Sequence, residues 1–403
     1  MPVAVLAGLL LASGCAAPDA DDGADRASTV HAVRATLDRR AAAVLDHDAD
    51  AYAAVVDRKA TGLRTAQRRE LAHLADVPLA SWTYRLTDLT EQGRDRVTAD
   101  VRLRYRIKGY DAAPVSTDRV LDLARDGSDG RWYLVGDRAG EDGGPQLWQQ
   151  GDVQVVRTGR SLVLGVGRTE QELRRIAREA DRAVPAVSDA WPERWAGRVV
   201  VLVPHTVADM ARLLGAPESD YRDIAAVTTG RTDGSGRAPA DRVVVNPQAY
   251  GLLSTFGQRI VLTHEITHVA TRARTSAATP TWLSEGFADW VAYRGEDRTA
   301  AQVAPELADE VRGGDLPSGL PTDEDFGFAG DPARLAKAYE GAWLACELIA
   351  DHWGEKKLFA FYRAVQGDSG QDGAVRRALQ DVLATSPQDF TARWREHLSA
   401  RLG

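Results

Sequence analysis

The segment VLTHEITHVA, residues 261–270, sets His264 and His268 four positions apart in an apolar run, with Glu265 directly after the first histidine. Thr255 and Gln258 stand in capping-box spacing ahead of it, and Ile260, Val261, Ile266 and Val269 give apolar coverage at helical spacing, so a core-facing helix is predicted here. Positions i and i+4 share a helix face, so the two imidazoles can reach one ion together, and Glu265 on the neighbouring flank can act on a water held there. The competing reading is a pair of core histidines, each of which needs its own buried hydrogen-bond partner. The chain has 8 histidines in 403 residues, which makes this spacing an improbable accident. As a metal site the pair requires a third ligand.

A second helical segment follows. Pro280 and Thr281 open PTWLSEGFADWVAYR as a helix start. Glu285 is the candidate third ligand. Asp289, one turn further on the same face, can accept the free ring N–H of a liganding histidine and so fix its tautomer.

The combination of THEITHVA with TWLSEGFADW, and with AYEGAWLACELIADHWG downstream, resembles the gluzincin metallopeptidases, in particular the peptidase MA-like domains related to thermolysin and the zinc aminopeptidases. The likeness spans about 150 to 365. It implies one zinc ion per chain, ligated by His264, His268 and Glu285, with Glu265 as general base and Asp289 behind the ligands. It also implies an oxyanion-stabilising tyrosine downstream of the third ligand. Tyr339 in AKAYEGAW occupies a comparable place, and Tyr293 on the Glu285 helix competes for the role. The aminopeptidases of this group carry G-x-M-E-N before the zinc helix, where this chain reads DRVVVNPQAYG. An exopeptidase is therefore not implied, and VVVN is expected to serve as an edge strand for an extended substrate.

Residues 1–15 read as an export signal: MPVAVLAGLLLASGC has no charged side chain and is too short for a membrane span. Ala12-Ser13-Gly14-Cys15 resembles the lipobox of bacterial lipoproteins, which implies lipidation at Cys15 and anchoring at the outer face of the cytoplasmic membrane. A secreted protein with an incidental cysteine is the alternative. Residues 16–27 are small, acidic and Pro/Gly-containing, the composition of a flexible tether. Cys346 is the other cysteine and sits in an apolar helical segment, where it is read as a buried small hydrophobe.

Between 28 and 140 the pattern changes from helical spacing (Val30, Val33, Leu37, Ala41, Val44, Leu45) to strand alternation. Val97, Ala99, Val101, Leu103, Tyr105 and Ile107 alternate with polar residues, including an arginine row expected to face water. Further strands are expected at 82–90, 117–125 and 131–136. This α+β module resembles the SnoaL-like or nuclear-transport-factor-2-like cone. Residues 139–146, AGEDGGPQ, have linker composition, and 148–400 is the expected metallopeptidase domain. It opens with strand patterns around 152–167, 198–204 and 242–247 and a capped helix from Thr169, then turns mainly helical. The whole is expected to be α+β, a small cone-like module followed by a zincin-type domain with a mixed or antiparallel sheet.

A formal charge of −8 gives no basic face for nucleic acid, so that partner class is excluded. The expected partners are a peptide or protein substrate and, through Cys15, the membrane. The rival from another class is an envelope lipoprotein that binds a ligand through its cone and keeps the zinc domain as a silent scaffold. Structural zinc sites are usually four-ligand and cysteine-rich, unlike this pattern. Nothing in the sequence selects an oligomeric state.

Overall fold

The period-2 run at 97–107 folds as one strand of a four-stranded antiparallel meander, described in a computed structural model that covers residues 20–141, 143–229, 240–327, 331–365 and 370–403. The expected export signal, including Cys15, lies outside the described residues. Helices α1 (Ala20–Leu45), α2 (Ala49–Ala54) and α3 (Thr61–His73) precede strands β1 (Leu79–Glu91), β2 (Arg96–Ile107), β3 (Val115–Arg125) and β4 (Trp132–Ala139), paired in the order β1-β2-β3-β4. On β2 the apolar positions are buried, while Arg102 and Arg104 are exposed and Arg106 is half-buried, as the alternation requires. Helix α1 starts at Ala20, inside the stretch expected to be tether, and α3 lies in a segment for which no helix was expected.

The second sheet contains β5 (Val153–Arg157), β6 (Ser161–Val166), β7 (Val199–Val203), β8 (Ala226–Thr229) and β9 (Arg242–Val245), in the order β5-β6-β7-β9-β8. Parallel β6/β7 and β7/β9 pairs are flanked by antiparallel β5/β6 and β8/β9 pairs. The VVVN strand is therefore interior: β9 is bonded on both sides, and the edge next to it belongs to β8, a short run absent from the expected strands. Two separate sheets, one antiparallel and one mixed, with helix over 53% of the described residues and strand over 19%, make the fold α+β.

Every residue of β6 is buried, because both faces of this sheet are covered. Val163, Val201, Val203, Val243 and Val245 pack with helix α4 (Glu170–Ala190) and the other helices of the main core. Leu162, Leu164, Val166 and Val200 join a second core with Trp82, Leu103, Tyr105 and Ile107 of the amino-terminal module. Trp148, just past the expected linker, sits 5.6 Å from Trp82 and 5.1 Å from Tyr105 between ring centroids. The two modules thus share one apolar interior. Helix α4 begins at Thr169 with the expected reciprocal bonds to Glu172.

The rest is helical: α5 (Val207–Leu214), α6 (Pro247–Leu252), α7 (Thr255–Thr271), α8 (Thr281–Tyr293), α9 (Ala300–Val303), α10 (Pro305–Arg312), α11 (Pro332–Trp353), α12 (Glu355–Ala364), α13 (Gly370–Leu383) and α14 (Pro387–Leu402). Cys346 on α11 is buried and free, as expected of a packing residue. Among the described residues, no helix is long and apolar enough to cross a membrane.

Candidate metal centre

Helix α7 carries the two histidines. Its cap is Ser254, whose hydroxyl accepts the Gly257 N–H, one residue before the expected Thr255. Burial on several faces leaves threonines inside the helix, and they satisfy themselves locally: Thr263 donates to the Arg259 carbonyl and Thr267 to that of Thr263. Helix α8 begins at Thr281 after Pro280, as expected, with Asp323 accepting the Thr281 N–H.

Gly286, directly after Glu285, decides how α8 meets α11. A Cβ at this position would lie 2.2 Å from the Ala342 carbonyl oxygen, so only glycine permits this approach of the two backbones. The close crossing brings α11 beside Glu285.

The expected ligands converge. His264 Nε2 and His268 Nε2 are 3.0 Å apart, and Glu285 Oε2 lies 3.1 Å from the first and 3.3 Å from the second. Asp289 Oδ1 accepts the His264 Nδ1–H at 2.7 Å, which leaves a lone pair on Nε2 of the neutral ring. Zinc bonds of about 2.0–2.2 Å in a tetrahedron separate their ligand atoms by about 3.4 Å, so the observed triangle fits that ion to within a few tenths of an ångström. Two imidazoles and one carboxylate are also the zinc donor set of thermolysin-type catalytic centres. The three ligand side chains are 13% to 18% exposed, enclosed but open on one side.

Electrostatics support the same arrangement. Burial pushes the Glu285 carboxyl up, but the adjacent imidazoles outweigh it and hold the group well below the usual carboxylate range. For His264 burial favours the neutral ring, yet Asp289 and Glu285 raise it well above its ordinary value. Glu265 is buried, and that burial raises its carboxyl against the lowering pull of His264, His268 and a bond from Thr228.

Tyr339 and Tyr293 separate in space. The Tyr339 ring lies 6.3 Å from that of His264 and 5.2 Å from Phe326. Burial, then the charges of Glu285, Asp289 and Glu265, push its hydroxyl well above the usual phenol range, so it remains a protonated donor. Tyr293 instead packs on Trp343 at 5.8 Å and is pushed up to about 12 by burial, with Asp289 and Glu340 adding. Both rings line a cavity of about 360 Å³ with Val303, Leu335, Ala336 and Trp343, beside Asp289. Glu340 on its wall is engaged by the Leu307 N–H at 2.6 Å, at the start of α10.

Sequence reasoning missed residues that other elements deliver. Thr228 of β8 places its hydroxyl 2.7 Å from Glu265 Oε2. Asp241 Oδ1 accepts from Arg272 Nε at the end of α7, at 3.2 Å. Its neighbour Arg242 is clamped by both oxygens of Asp111 at 2.7 and 2.8 Å, a buried pair between the two modules. The β-branched run ahead of Gly230 could have marked β8; nothing local marks Asp111. A second cluster, Glu347, Asp351 and His397, differs from the first because Arg401 at 2.6 Å already neutralises Glu347.

No family model matches the chain, and neither does any curated protein. Among solved structures, matches include a variant of Rv3472 from Mycobacterium tuberculosis, described as a protein of unknown function. It is 17% identical over 32% of this chain and 77% of its own, with a TM-score of 0.25, a likeness too slight to bear on fold or function.

Proposed function

We propose that this protein is a zinc-dependent metallopeptidase that hydrolyses peptide bonds at the outer face of the cell membrane, where lipidated Cys15 would hold it. The observation that carries the reading is the convergence of His264 Nε2, His268 Nε2 and Glu285 Oε2 within 3.3 Å, with a buried carboxylate next in sequence. When bound, zinc supplies an acidified water and a positive charge for the substrate carbonyl.

The chain's own groups do the rest. Asp289 holds the His264 ring in one tautomer and orientation. Glu265 takes the proton from the attacking water and passes it to the departing nitrogen. Tyr339, a protonated donor, hydrogen-bonds to the carbonyl oxygen as negative charge develops there. The cavity beside Tyr339 receives an uncharged side chain of the substrate, since its carboxylates are already engaged.

The test is Glu265→Gln in the full chain. Native protein and variant should each bind one zinc per chain, and the native protein alone should hydrolyse a quenched-fluorescent peptide library, in a reaction that a hydroxamate inhibits. Equal turnover in both proteins, or no stoichiometric zinc in either, refutes the proposal.

A further inference from the structure

Thr228 belongs to β8, one of the two edge strands of the second sheet. Its backbone is in register with Val243 of β9, so the sheet fixes where its side chain starts. From there the hydroxyl reaches α7, at 2.7 Å from Glu265 Oε2 and 2.8 Å from the Glu265 carbonyl oxygen.

A hydroxyl has one hydrogen and two lone pairs, so Thr228 donates to only one of these oxygens at a time. Turned toward Oε2, it donates to the carboxylate. Turned toward the helix carbonyl, it leaves a lone pair facing the side chain and can accept from a carboxyl O–H. One side chain therefore serves Glu265 in both forms without any movement of the backbone. Among the described residues, Thr228 supplies the side-chain hydrogen bond to the Glu265 carboxyl, and Glu265 is buried enough for that bond to fix its orientation.

We propose that Thr228 is a positioning residue for the general base: from the sheet edge its hydroxyl pins the Glu265 carboxylate beside the ligand triad. The inference builds on the peptidase reading, but its geometry does not require turnover.

The experiment compares full-length, zinc-loaded native protein with Thr228→Val, which keeps the shape and removes the hydroxyl, and Thr228→Ser, which keeps the hydroxyl. Thr228→Val should lower kcat on the peptide library roughly ten- to hundredfold, the range for a lost hydrogen bond to a charged group. KM and zinc content should change less than about threefold, and Thr228→Ser should stay near native. A crystal structure of Thr228→Val, with or without metal, should show the Glu265 carboxylate moved from its native place. If Thr228→Val does not fold, Thr228→Ala takes its place in both measurements. An unmoved carboxylate with native turnover overturns the proposal, as does an equal loss in Thr228→Ser. A moved carboxylate in a protein inert toward every peptide refutes the peptidase reading and leaves the positioning of Glu265 by Thr228 standing.

Discussion

Asp289→Ala separates a ligand-orienting carboxylate from a bystander. The native Oδ1 accepts the His264 ring N–H at 2.7 Å, and the two side chains are 16% and 13% exposed, so solvent replaces the bond poorly. A charge-assisted hydrogen bond of this kind contributes about 1.5–3 kcal/mol. At about 1.4 kcal/mol per factor of ten, that becomes a loss of roughly 10- to 150-fold in zinc affinity, close to the range usual for groups behind metal ligands. Asp289→Asn retains an acceptor without the charge, and neutral bonds have about half the strength, so its loss should be roughly tenfold or less. Competition against a fluorescent zinc chelator at fixed pH measures both, with circular dichroism to verify folding. Zinc affinity in Asp289→Ala within threefold of native would refute the argument, because His264 would then need no orienting partner.

Tyr339→Phe should leave zinc content intact and lower kcat by about a hundred- to a thousandfold, the range for one oxyanion donor, whereas Tyr293→Phe should stay near native in the same peptide assay. Gly286→Ala forces a methyl to within 2.2 Å of the Ala342 carbonyl, and chemical denaturation should show a loss of about 1–3 kcal/mol or more. Zinc binding should weaken as pH falls. His264 in the metal-free protein keeps its proton to above its ordinary value, because Asp289 and Glu285 outweigh burial; zinc must displace that proton, and calorimetry in buffers of different ionisation heat should detect its release. The same shifts give the sign for the metal-free fold. The raised His264 contributes stability at low pH that is lost as pH rises through its folded value. The lowered Glu285 contributes above about 4.5 and loses it on acidification. The melting temperature of chelator-treated protein should therefore be highest between these limits.

Much of the molecule is legible in its sequence. The β2 alternation, the Thr169 capping box and the buried Cys346 all appear where their patterns put them. His264 and His268 share a face because a helix forces i and i+4 together, and Asp289 stands one turn beyond Glu285 for the same reason. Where the reading failed, the deciding contact was distant. The edge of the second sheet passed from β9 to β8 because strand order is a tertiary choice. The helix start at Ala20 overrode a composition that favoured disorder, as α1 packs from Val30 onward against the first sheet.

The order of residues along the chain was enough to set the two helical pairs, His264 with His268 and Glu285 with Asp289, because helical spacing is local and needs no partner to be read. Folding in three dimensions was required for these pairs to face each other, for Thr228 to reach Glu265 across 37 positions, and for Asp111 to clamp Arg242 across 131. Such contacts arise from chain closure and packing, in which each residue's place depends on all the volume around it, and no short window of sequence encodes that volume.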